Sequence, residues 1–88
     1  MDADFAPIRR DGRQCGKRTT WRSRGYDRMG TRRLITAIIH GARGRIALIF
    51  FDDPKLLRQG LTQYWPGHDN HLHVRFCLPH ERDPLYRC

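Results

Sequence analysis

No two cysteines are spaced C-x-x-C: the three thiols stand at Cys15, Cys77 and Cys88, far from a zinc-ribbon or thioredoxin-like pattern. No apolar run approaches the ~18 residues that a membrane-spanning helix needs. The opening residues, MDADFAPIRRDG, put acids first and hold no apolar segment of the kind a secretory signal carries. Translated as given, the chain is therefore expected in the cytoplasm, with no membrane span. Helix-turn-helix and zinc-finger spacings are missing. Aromatic residues are not interleaved with the basic ones as in a single-strand nucleic-acid platform. There is no internal repeat and no low-complexity segment.

What the sequence has in quantity is arginine. Fifteen Arg and two Lys face nine acids, and the net charge is +8. The excess is uneven: from Arg9 to Arg45 twelve basic residues meet only Asp11 and Asp27. Such a segment predicts attraction to a polyanion, whether nucleic acid, anionic membrane surface or acidic wall polymer. An arginine bias also arises from genomic base composition, without any binding role, so nucleic acid is not the favoured partner. A basic binding module is the alternative function.

Eighty-eight residues make one small domain, 1–88, that buries about 60–65% of the surface its unfolded chain exposes. "ADFA" reads as a short strand, and residues 7–29 as an Arg-rich loop broken by Gly12, Gly16 and Gly25. In TRRLITAIIHGA, Leu34, Ile35, Ile38 and Ile39 recur at helical spacing, with Gly30 or Thr31 as cap and Gly41 and Gly44 as the stop. RIALIFF, Arg45 to Phe51, is an apolar run of strand length. DDPKLLRQGLTQY then predicts a second helix, capped by Asp52 or Asp53, with Pro54 first and Leu56, Leu57 and Leu61 inward. HLHVRF alternates strictly. The order is that of an α+β fold, a small antiparallel sheet packed with two or more helices.

Alternation gives the last strand its interest. Side chains of a strand point to opposite faces in turn, so His71, His73 and Arg75 share one face while Leu72, Val74 and Phe76 point to a core. Two imidazoles on a rigid ladder, ~6.5–7 Å apart, can serve one metal site, and His68 can reach it across a Gly-initiated turn. A catalytic zinc needs about three protein ligands and an open position. Candidates from elsewhere are Asp2, Asp4, Asp52, Asp53 and His40. The same strand can equally be a solvated polar face. Cys77 and Cys88 enclose a short Pro-containing loop and can pair in an oxidising compartment; three free thiols fit equally well.

The run WPGHDNHLHVRFC resembles the C-terminal signature of the penicillin-insensitive murein endopeptidases, zinc peptidases related to lysostaphin-type enzymes and D-Ala-D-Ala carboxypeptidases. Members carry a similar Trp-Gly-His-Asp-x-His-x-His-Val-Arg run followed by Cys. YDRMGTRRLITAII is similar to the family's helix, and RIALIFFDDPKLLRQGL to its next strand and short helix. MDADFA resembles the end of the family's other zinc motif, His-x-x-Gly-x-x-x-Asp continuing as Gly-x-Asp-Ala-Asp-Phe. Carried over by position, the resemblance implies Zn2+ held by Asp4 and His73, with His71 as the catalytic histidine and His68 as a further active-site histidine. The family's first zinc-binding histidine would fall upstream of Met1, so the resemblance implies an N-terminally truncated, incomplete zinc-peptidase domain. The implied function is hydrolysis of stem-peptide cross-links in peptidoglycan, in the periplasm, with the chain's own activity left open. Homologous cysteines in the tail add weight to a Cys77–Cys88 pair.

Overall fold

A computed structural model describes residues 1–13 and 19–77. Three strands, β1 (Asp2–Phe5), β2 (Ile46–Phe50) and β3 (Leu72–Phe76), form one antiparallel sheet in the order β1-β3-β2. Two helices, α1 (Arg28–Gly41) and α2 (Pro54–Arg58), complete a small α+β fold. Parts of the expected Arg-rich loop (14–18) and the whole tail after Cys77 lie outside the described residues, as does any Cys77–Cys88 pairing. Cys77 itself is buried and held in a disulfide.

α1 starts one turn earlier than the cap expected at Gly30 or Thr31. Asp27 is the N-cap: its backbone is extended and its carboxylate accepts from the Gly30 amide at 2.9 Å. A side chain at Gly30 would meet that carboxylate at 2.7 Å and Ile8 at 2.8 Å, so glycine is required there despite its poor helix propensity. Thr31 has a different task. Fully buried, it donates its hydroxyl to the Asp27 carbonyl and accepts from the Ile8 amide. The Arg-rich segment is thereby closed at its base: the Arg10 amide donates to the Gly25 carbonyl at 2.7 Å, and the Asp27 amide to Ile8 at 2.8 Å.

α2 obeys its sequence signals at the start and stops short. Asp53, of the two expected caps, accepts from the Lys55 amide, and Pro54 follows. Five residues later the chain leaves the helix through Gly60 at φ +73°. The Gly60 amide then donates to Leu57, and the Leu61 amide to Leu56. This paired closure, a Schellman motif, satisfies the last carbonyls and brings Leu61 against the core.

The core gathers Tyr26, Ile35, Ile46, Ile49, Phe51, Leu56, Leu72 and Val74. Of the apolar stripe expected on α1, Ile35 is fully buried, and Ile38 and Ile39 pack partly against the cluster. Leu72 and Val74 point inward as alternation requires, while Phe76, expected beside them, is only partly buried. Sheet and α1 share this one apolar face. The other sheet face carries the polar residues of β1 and β3 beside Leu48 and Phe50 of β2.

Candidate functional site

Residues directly opposite one another in neighbouring strands share a sheet face. β1 sets Asp2 opposite Arg75 and Asp4 opposite His73; β2 sets Leu48 opposite Arg75 and Phe50 opposite His73. The polar face is therefore Asp2, Asp4, His73 and Arg75, bordered by Phe50. Asp4 and His73, separated by 69 positions, meet with Oδ1 and Nδ1 3.0 Å apart. Asp2 lies on the other side of the imidazole, 3.4 Å from Nε2, and its same oxygen accepts from Arg75 Nε at 3.0 Å. The Arg75 hydrogen bond holds the Asp2 carboxyl below the usual range, against the opposing effect of burial.

His68 and His71 reach the site from the loop before β3. The His68 ring lies 4.6 Å from that of His71 and 5.9 Å, edge-on, from that of His73. Phe50 packs against His68 at 5.3 Å and stacks on His73 at 6.2 Å. His68 Nδ1 faces the Trp65 and Pro66 carbonyls, both at 3.2 Å, and His71 Nδ1 faces Asn70 Oδ1 at 2.7 Å. All four residues expected in the site, Asp4, His68, His71 and His73, thus lie around one patch. Two further residues shape the patch. Phe50 belongs to the apolar run of β2, and alternation between buried Ile49 and Phe51 turns it to the opposite face. Asp52 was read as a helix cap or ligand; its carboxylate instead accepts from the Trp65 and His68 amides, both at 3.2 Å, and its own amide donates to the His68 carbonyl. That clamp fixes the His68 loop.

The remaining candidates lie elsewhere. Asp53 is fully buried and bonded to the Tyr26 hydroxyl and to Arg28 Nε at 2.8 Å. Burial pushes its pKa up, but Arg28, Tyr26 and the Lys55 amide outweigh it and hold the carboxyl below the usual range. Burial and then Asp53 push the Tyr26 phenol well up. His40 is exposed in the last turn of α1. Neither residue approaches the histidine patch through any of these contacts.

Two ligands each ~2.1 Å from a tetrahedral zinc stand ~3.4 Å apart. The Asp4–His73 separation of 3.0 Å is shorter than that edge and is the length of a hydrogen bond. Among the described residues no three His, Cys, Asp or Glu side chains are yet drawn together as a set that could hold a metal. The arginines are partly committed inside the fold: Arg9 pairs with Asp11 at 2.7 Å, Arg28 with Asp53, and Arg10 donates to the Tyr26 carbonyl. No helix among the described residues is long and apolar enough to cross a membrane. Comparison with protein-family models, with curated proteins and with solved structures gave no match.

Proposed function

We propose that the chain is a zinc-dependent hydrolase of peptidoglycan stem-peptide cross-links, similar to the penicillin-insensitive murein endopeptidases. The observation that carries the reading is the Asp4–His73 contact at 3.0 Å. The two residues that the resemblance names as ligands come from opposite ends of the chain and meet across two strands. Asp4 and His73 would hold the ion. A zinc bound there would supply Lewis acidity and would lower the pKa of a water to about 7. His71, one alternation from His73, accepts or returns a proton at the reacting peptide. His68, held by Asp52, orients the substrate or water from the loop. His68, whose ring lies 5.9 Å edge-on from that of His73, is the candidate third ligand after a ring movement.

Zinc titration of the purified chain tests the site. The expected result is about one equivalent bound, with affinity lowered at least ~10-fold in His73→Ala and in Asp4→Ala. Uptake below ~0.1 equivalent at micromolar protein, or uptake indifferent to both substitutions, sinks the reading. Release of new amino termini from purified peptidoglycan, dependent on added zinc, tests the reaction.

A second reading has one specific support. Met29, Arg32, Arg33, Thr36, Ala37 and His40 line an open groove on the outer side of α1, with both arginines exposed. A non-catalytic module using this stripe on a polyanion would lose affinity steeply with salt, and would keep it in His73→Ala.

A further inference from the structure

The loop that carries His68 also borders, through Tyr64, Gly67 and Asp69, an open groove of about 540 Å³. That volume falls within the ~300–1,000 Å³ of small-molecule sites. Its base is apolar, from Pro54 and Leu57, and Trp21 and Tyr64 supply aromatic surface. Trp21 is anchored from beneath by the core, and its amide donates to the Asp69 carbonyl at 3.1 Å, tying the two walls together. Tyr64 is 62% exposed.

The groove is lined by Arg22 and by two carboxylates, Asp69 and Asp52, and both Asp52 oxygens are already taken by the Trp65 and His68 amides. Arg22 lies with its guanidinium 4.7 Å from the Trp21 ring centroid. Stacked so, a guanidinium keeps its in-plane N–H donors free for a planar acceptor such as a carboxylate. Asp69 lines the same groove. Neither side chain forms an ion pair among the described residues. A site with one unspent fork of donors, one unspent carboxylate and an apolar floor fits a ligand that carries both charges and a small apolar body.

We propose that this groove binds the zwitterionic form of short peptides, with the α-carboxylate on Arg22, the α-ammonium on Asp69 and small side chains over Pro54 and Leu57. The site needs no metal and does not depend on the zinc reading. It gives the molecule a place to hold a free peptide beside the histidine patch.

The probe is the dipeptide Ala-Ala, titrated into the 15N-labelled chain and compared with N-acetyl-Ala-Ala and Ala-Ala-amide. Saturable shifts of the Trp21 indole N–H are expected, with dissociation constants near ~1 mM. Blocking either end should weaken binding at least ~5-fold. In Arg22→Gln the free acid and the amide should bind alike; in Asp69→Asn the free and acetylated amines should bind alike. His73→Ala should bind as the parent does, which separates this site from the zinc site. Absence of saturable Trp21 shifts up to ~20 mM overturns the proposal. So does equal binding of all three peptides, which needs no variant to fold.

Discussion

Asp53 and Thr62 are both buried polar residues with opposite energetic meanings. Asp53 is fully enclosed, yet it meets the Arg28 guanidinium, the Tyr26 hydroxyl and the Lys55 amide. Removing it would leave a phenol and a guanidinium without their acceptor and strip α2 of its cap. We expect Asp53→Ala to cost about 2–4 kcal/mol, below the full range for buried pairs because Arg28 is partly solvated. Urea melts of the two proteins measure it. Thr62 is its converse: 4% exposed, with a hydroxyl that finds no partner among the described residues. Replacing an unsatisfied hydroxyl by a methyl of similar shape removes a desolvation cost of about 1–3 kcal/mol. Thr62→Val should therefore be neutral or raise the melting point, and a loss above ~1 kcal/mol would mean the hydroxyl has a role these contacts omit.

At the scale of elements, the decisive piece is the loop between α2 and β3. Both Asp52 oxygens receive its amides, so the position of His68 over the histidine strand depends on a residue at the end of the neighbouring strand. Asp52→Ala should speed hydrogen exchange at the Trp65 and His68 amides by at least ~10-fold, leaving the central β3 amides unchanged. Exchange that rises equally across β3 would mean Asp52 supports the whole sheet rather than the loop. Much of this architecture was legible: the strict alternation in HLHVRF sorted Leu72 and Val74 from His73 and Arg75, and Pro54 marked the start of α2. Cap chemistry was harder. The start of α1 was misread because Asp27 lies before a glycine and an arginine, outside the apolar period, and because Thr31 looks like a cap while acting as a buried bridge to Ile8. α2 was drawn too long because Leu61 continues its apolar spacing through the Schellman turn at Gly60. The meeting of Asp4 with His73 came from motif likeness alone; pairing across so many positions leaves no local trace in a sequence.

For the whole molecule, scarcity of acid in an arginine-rich chain sets how it responds to pH. Asp2 pairs with Arg75, Asp4 meets His73, Asp11 pairs with Arg9, Asp27 caps α1, Asp52 clamps a loop, and Asp53 meets Arg28. Nearly every described carboxylate thus has a structural partner. Three of them have folded-state values below the ordinary carboxylate range: Asp2, chiefly through Arg75; Asp53, despite burial, through Arg28 and Tyr26; and Asp11, brought to about 2 chiefly by Arg9. A carboxylate whose pKa is lower folded than unfolded binds its proton more readily in the unfolded chain. Its contribution is complete above the unfolded value of ~3.9 and disappears as pH falls through the folded value. Acid also removes negative charge from a molecule that already carries +8, adding self-repulsion in the same direction. The melting temperature should be level from about pH 7 to pH 5 with respect to these carboxylates, then fall between about pH 4 and pH 2. Asp53→Asn should start lower and fall less steeply, because it no longer has that proton to take up. Thermal melts across the series measure both effects. A melting temperature unchanged down to pH 2 would show that these pairs do not hold the fold, and parallel curves for parent and variant would remove Asp53 from the account.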